Sequence, residues 1–382
     1  MTLVRVLVLG NGAAGAEKQA LALAARLREK ILSKASCHNP PLSSPPVECV
    51  RVTLGRSRLV PPVLQTLGAR LTNNPLFGYT ETDRARLVQV QKPRKAFDIV
   101  IGCGRSTVAL CAVLKLLNPS KTFNIQIQHP RVPLTWFDAV VAPRHDFPVG
   151  HGGAANLFLT SGTVHDITPE LLKLQGQEWS RELKKKPQGR RKRVVWLLGG
   201  PCRGFAFTVQ AAERMVDEFV RAVPRDAAVL VTFSRRTPKD VQRIIRNGLA
   251  EAFTESGQVL VWDGTEKRNP YYALLFVASC IVTTPDSISM TTEAIASGKP
   301  VLTISVEHAT GKFQYFHQSL FERSWTTPFT RDAVEAALKR CAADEDCHER
   351  GIASIALEKE ISTIVNDIAD NLHMAIDKIQ KT

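Results

Sequence analysis

Short apolar runs that end in Gly, Ser, Arg or Asp and pass directly into helical patterns constrain this chain more than any other feature. The second half holds four. Residues 194–198 end in Gly199-Gly200-Pro201-Cys202-Arg203-Gly204, and a helix with Ala211, Met215, Phe219 and Val220 on one face follows. Residues 227–233 end in Ser234-Arg235-Arg236-Thr237-Pro238, ahead of an amphipathic helix through Val241, Ile244, Ile245 and Leu249. Residues 259–262 end in Asp263-Gly264, and 280–282 in Thr283-Thr284-Pro285-Asp286-Ser287. Buried strands alternating with helices predict a parallel sheet covered on both faces. Such sheets bind ligands beyond the carboxyl ends of their strands, so these four termini share one functional edge.

The fourth terminus carries the most chemistry. Pro285, Asp286 and Ser287 supply helix-start chemistry, and Gly298 is a left-handed stop before the strand at 301–304. The first turn of such a helix directs N–H groups and the positive dipole end at a phosphate. Ser289 and Glu293 lie four apart on one face, which places a carboxylate within reach of ribose hydroxyls. Read alone, the same spacing also describes an ordinary capped helix with a solvated Glu. The recurrence of Gly199, Gly200, Arg203, Ser234, Arg235, Asp286, Ser287, Ser289 and Glu293 along one edge favours a phosphate-bearing ligand.

The first half repeats the alternation. An apolar run from Leu3 to Leu9, interrupted by Arg5, ends in Gly10-Asn11-Gly12-Ala13-Ala14-Gly15. Gly12 and Gly15 fit the GxGxxG spacing that brings backbone close to phosphates. A dinucleotide site also needs a carboxylate at the end of the second strand, and that strand, 47–54, runs into Gly55-Arg56. This weakens NAD and leaves an arginine for a 2′-phosphate. Leu64, Leu67 and Leu71 suggest one short helix in the Arg-rich stretch 56–95, and the proline-rich 36–46 reads as a loop. The strand at 97–101 ends in Gly102-Cys103-Gly104-Arg105-Ser106-Thr107, where Gly104 and Arg105 form a second candidate anion cradle or a plain tight turn. Strands at 123–128 and 137–142 place His129, Arg131, Arg144, His145 and Asp146 on the same edge. His145 or Asp146 is a candidate general base, although neighbours in sequence point in different directions.

The basic stretch from Lys184 through Lys185, Lys186, Arg190, Arg191 and Lys192 to Arg193 reads as a linker that could also dock on an anionic membrane surface. The expected divisions are a Rossmann-like domain at 1–175, the linker at 176–193, a second Rossmann-like domain at 194–345 and terminal helices at 346–382. Ile361, Ile364, Val365, Ile368, Leu372, Ile376 and Ile379 keep helical spacing, so the last helix should brace the N-terminal domain. Together these give an α/β chain of two Rossmann-like domains facing a cleft.

The chain has 50 Lys and Arg against 36 Asp and Glu, a formal charge of +14, which suits an anionic partner. Its cysteines, at 37, 49, 103, 111, 202, 280, 341 and 347, form no CxxC pair; Cys341, Cys347 and His348 lack a fourth ligand for zinc. A reducing compartment and no metal are the expectation. No run of 18 apolar residues spans a membrane, the N-terminus offers no signal-peptide pattern, and no interleaving of aromatic and basic residues points to nucleic acid.

The paired α/β units resemble the GT-B architecture of nucleotide-sugar glycosyltransferases. Ile127-Gln128-His129-Pro130-Arg131, Phe137-Asp138, Ala142-Pro143-Arg144-His145-Asp146, Ser234-Arg235-Arg236-Thr237-Pro238 and Thr284-Pro285-Asp286-Ser287-Ile288-Ser289-Met290 resemble one family within it, the mitochondrial fission proteins first known from plants with elongated mitochondria. The resemblance implies a peripheral protein on the cytosolic face of the outer mitochondrial membrane that brings a dynamin-related GTPase to division sites. No cofactor is then required. The alternative it leaves open is a GT-B glycosyltransferase that takes a nucleotide diphosphate sugar, with Glu293 on ribose and the Gly200 and Ser287 loops on diphosphate. The chain departs from the family's usual start, where an acidic residue commonly precedes the first glycine: here Asn11 follows Gly10.

Overall fold

The structure, a computed structural model, describes residues 4–36, 47–54, 60–82, 85, 97–147, 153–184, 192–264, 268–343 and 351–380. The chain divides into two compact units, Met1–Asp166 with Glu360–Thr382, and Ile167–Lys359.

The first unit holds β1 (Val4–Gly10), α1 (Ala14–Ser36), β2 (Val47–Thr53), α2 (Pro62–Thr72), β3 (Ile99–Cys103), α3 (Val108–Leu117), β4 (Phe123–Ile127), β5 (Ala139–Pro143) and β6 (Leu157–Thr160). All six strands are parallel in the order β2-β1-β3-β4-β5-β6. Their near-continuous apolar sequences fit strands covered on both faces. Arg5, which interrupts the apolar run of β1, is buried because its guanidinium lies 4.5 Å from the centre of the Phe97 ring.

The second unit begins with α4 (Pro169–Glu178) and α5 (Ser180–Lys184) and continues as β7 (Arg193–Leu198), α6 (Val209–Ala222), β8 (Ala228–Phe233), α7 (Lys239–Ala252), β9 (Val259–Trp262), α8 (Tyr271–Val277), β10 (Cys280–Thr283), α9 (Ile288–Ala296), β11 (Val301–Thr303), α10 (Lys312–Glu322), β12 (Thr327–Pro328) and α11 (Arg331–Ala343). Its six strands are also parallel, in the order β12-β11-β10-β7-β8-β9. Stacked rings anchor the core: Trp196 on Phe219 at 4.2 Å, and Phe219 on Phe329 at 5.8 Å.

The first boundary and the linker both differ from the sequence expectation: residues 176–184 fall in α4, α5 and the turn between them, inside the second unit, rather than in a linker. Residues 167–175 belong to the second unit, because Trp179 and Leu183 bury against Ala273 of α8, with Trp262 packed alongside. The final helix, α12 (Ile352–Gln380), counts with the first unit from Glu360 onward. Its predicted stripe is buried at Ile361, Ile364, Val365, Ile368 and Leu372. Glu360 accepts from the Ser161 N–H and hydroxyl, both at 2.7 Å, at the end of β6. The loop at 37–46, Gly55-Arg56, most of the basic stretch (185–191), Cys347 and His348 lie outside the described residues.

Candidate functional site

A doubly wound sheet opens a crevice where consecutive connections leave in opposite directions. In the second unit this switch point lies between β7 and β10, whose ends are level because Leu197 pairs with Thr283. The loops after the two strands interlock. Thr284 Oγ1 accepts from the Gly199 N–H at 3.0 Å and donates to Asp286 Oδ1 at 2.7 Å. Asp286 Oδ2 accepts from the Gly200 N–H at 2.7 Å and lies 3.5 Å from Arg236 Nη2. Thr237, after β8, donates its hydroxyl to the Gly199 carbonyl. A Cβ on Gly199 would fall inside the Asp286 carboxylate, so only glycine fits there.

Asp286 is therefore not placed as expected. Its side chain is buried and turned inward, and burial raises its carboxyl above the ordinary range against the opposing pull of Thr284, Gly200 and Arg236. The carboxylate organises the loops and takes the Gly200 amide that had been assigned to a phosphate. Ser287 does cap α9, its hydroxyl accepting from the Met290 N–H at 3.4 Å. Ser289 is half-buried, Glu293 is buried one turn further on, and Ser234 accepts from the Arg236 N–H at 3.2 Å. Arg203 and Arg235 are exposed on this edge. The groups available to an anion here are guanidinium groups more than glycine amides.

Sequence reasoning passed over His317. It sits fully buried on α10, and its Nε2–H donates to the Pro285 carbonyl at 3.0 Å. Its signal was thin: a lone His in the polar stretch from His308 to Gln318.

The first unit has its own switch point between β1 and β3. The two glycine turns meet there. Gly104, in the left-handed region at φ 87°, lies against the Asn11 side chain. The GxGxxG turn, however, is closed by its own chain. Glu17, on the first turn of α1, accepts from the Gly12 N–H at 3.2 Å, packs against Gly10 and pairs with Arg51 of β2. Asn11 Oδ1 accepts from the Ala13 N–H at 2.9 Å, and Gly15 gives its carbonyl to Gln19. The expected phosphate role of Gly12 is thus corrected: its donor serves an internal carboxylate. The acidic residue missing before the first glycine has a counterpart after it. Arg105 is exposed, but the start of α3 is partly satisfied, since Tyr79 Oη accepts from the Leu110 N–H at 3.1 Å and donates to the Ser106 carbonyl at 3.0 Å.

Further along this edge, His145 is buried and its Nε2 stands 4.0 Å from Asp146 Oδ1 within one short helical turn. His129 stacks on Phe147 at 4.3 Å and accepts from the Arg131 N–H at 3.0 Å, which fixes the proton on Nε2. Gln128 and Arg131 both hold positive φ, 71° and 61°. Such strain marks the strand end as a place the fold over-determines.

Comparison with solved structures shows the fold. The chain is similar to Anabaena Alr3699/HepE in complex with UDP-glucose, with a TM-score of 0.51 and 14% identity over 99% of this chain and 100% of that one. It is similar to a putative UDP-N-acetylglucosamine 2-epimerase from Listeria monocytogenes, with a TM-score of 0.50 and 10% identity over 95% and 96% of the two chains. These fix a GT-B-like α/β architecture. Among relatives, mitochondrial fission protein ELM1 of Arabidopsis thaliana is 29% identical over 279 residues, 63% of this chain and 62% of that protein. The chain thus spans under two thirds of that relative's length. Protein RP120 of Rickettsia prowazekii is 28% identical over 265 residues, 61% of this chain and 72% of that one. A family described as Mitochondrial fission ELM1 matches residues 14–349, nearly the whole of both sheets, and the chain belongs to that family.

Proposed function

We propose that this protein acts in mitochondrial division at the cytosolic face of the outer membrane, where it brings a dynamin-related GTPase to division sites. The observation that carries this reading is the family match across residues 14–349, which includes the strand-end loops of both units apart from the turn after β1. Attachment is peripheral in this reading, and no helix among the described residues is long and apolar enough to cross a membrane. The test is loss of the protein in its host with mitochondria and GTPase foci imaged together. Elongated mitochondria with fewer foci are expected; a normal network with normal foci would overturn the reading.

A second reading rests on one specific geometry. In the second unit the capped start of α9, buried Glu293 and exposed Arg203 and Arg235 stand at the β7–β10 switch point. That arrangement suits a nucleotide diphosphate sugar, with the arginines on diphosphate and Glu293 on ribose. Glu293→Ala is then expected to weaken binding by about 1–3 kcal/mol, the scale of hydrogen bonds to a charged group. Calorimetry with UDP, GDP and ADP sugars measures it. Absence of binding for every sugar nucleotide at millimolar concentration would remove this reading and leave the first untouched.

A further inference from the structure

Helix α2 is built inside out. Its buried face is Pro62, Gln65, Thr66 and Ala69. Gln65 donates to the Gly78 carbonyl at 2.9 Å, and Thr66 to the Pro62 carbonyl at 2.9 Å. The apolar side chains point the other way: Val63, Leu64, Leu67 and Leu71 are 37%, 56%, 43% and 87% exposed. At one residue per 100° they span only about 100° of arc, a continuous stripe. The Phe77 ring packs over Gly68 at the edge of this stripe and leaves no room for a Cβ there. Of the nine large exposed apolar side chains among the described residues, four lie on this one helix.

A soluble helix that turns leucines outward and amides inward has a partner for the leucines. Charge identifies it. Exposed Arg70 flanks the stripe, and residues 51–96 hold nine Arg or Lys against Glu81 and Asp83 alone. Half of the formal +14 of the chain falls in this stretch. At about 16 Å the helix is far too short to span a bilayer and has the right form to lie in its surface. Pro61 and Pro62 start it, and left-handed Asn73, at φ 50°, ends it, so the stripe is presented on a fixed element.

We propose that the outward Val63, Leu64, Leu67 and Leu71 face of α2, with Arg70, is the surface by which this protein docks on an anionic lipid bilayer. Apolar side chains enter the boundary between headgroups and acyl chains, while Arg70 at the edge of the stripe meets the headgroup charge. The inference deepens the peripheral location proposed above and rests on it only for the choice of membrane. Because its test uses vesicles, it can fail while a division phenotype stands.

The test is co-sedimentation of the full-length protein with phosphatidylcholine vesicles, with and without phosphatidylserine. Binding is expected to the anionic vesicles and to fall as salt is raised. The Leu67→Asp, Leu71→Asp double variant is expected to bind at least about tenfold more weakly while unfolding at the wild-type temperature, since both side chains face solvent. Leu174→Asp, an exposed apolar position elsewhere, should bind as wild type. Three results would overturn the proposal. The double variant could bind as well as wild type. It could lose thermal stability with binding unchanged, which would show that the stripe is covered by the chain itself. Binding could vanish instead when Lys185, Lys186, Arg190 and Arg191 are all changed to Ser, with the double variant intact, which would move the contact to the 184–193 stretch.

Discussion

The Asp286→Ala protein is expected to lose about 2–4 kcal/mol of stability in its second unit, because two buried donors lose their acceptor at once. The Gly200 N–H and the Thr284 hydroxyl both end on this carboxylate, at 2.7 Å each, in a place no exposed group can replace. The ion pair with Arg236 adds little, since that arginine is half exposed and 3.5 Å away. Asp286→Asn should cost less, because an amide keeps one acceptor and sheds the burial penalty that raises the carboxyl of Asp286. Gly199→Ala should approach the alanine variant at 286 in severity by the opposite route: the new methyl takes the space of the carboxylate and forces the same loops apart. Urea unfolding followed by tryptophan fluorescence reads the right unit, since Trp179, Trp196, Trp262 and Trp325 lie in it and only Trp136 lies in the other. An Asp286→Ala midpoint equal to wild type would show that the loops hold without their carboxylate.

Asp286 also shows where sequence reading reached and where it stopped. The strands were legible because a strand buried on both faces is an apolar run with little else in it. Residues 259–262 match the observed strand at both ends, and the other expected strands match within one or two residues, while β12, two residues long and without an apolar run, was not expected. The functional edge was legible for the same reason, since Gly, Ser and Arg follow such runs where the chain must turn. What the runs do not carry is strand order or the direction of a side chain. Glu17, just past a glycine turn, and Asp286, at a helix start, were both visible as acids after strand ends. Only the pairing of β1 with β2 and of β7 with β10 brings Arg51 to the first and Gly200 to the second, and turns both carboxylates into internal parts. Helix α2 misled in another way. Leucines at 64, 67 and 71 do mark a helix, but periodicity says that a face is apolar, not that the fold covers it.

Stability of the second unit is expected to fall between pH 6.5 and pH 4 through His317, and the His317→Gln protein should lack that part of the fall. The ring lies between Phe316 and Phe321 with no exposed surface. Nε2–H donates to the Pro285 carbonyl, and Nδ1 has no hydrogen-bond partner among the described residues. A proton arriving at Nδ1 would thus be buried as a charge with nothing to accept it. Burial pushes the pKa down to about 4 from the ordinary 6.5. Between these values the unfolded chain holds a proton that the folded chain does not. Stability therefore rises with pH across the window: it is fully present above 6.5 and is lost as pH falls toward 4. The full difference is about 3 kcal/mol, since each pH unit between the folded and unfolded values is worth about 1.4 kcal/mol. Asp286, next along the chain from Pro285, is shifted upward and acts with the opposite sign, so the readout is the wild-type profile minus that of the variant rather than either alone. Glutamine can still donate its amide to Pro285 but does not titrate. Parallel urea-midpoint profiles for the two proteins from about pH 7 to pH 4 would show that His317 is already accommodated as a cation. A widening gap on the acid side would make the Pro285–Ser287 turn, and with it the start of α9, the part of the second unit that acid loosens through this histidine.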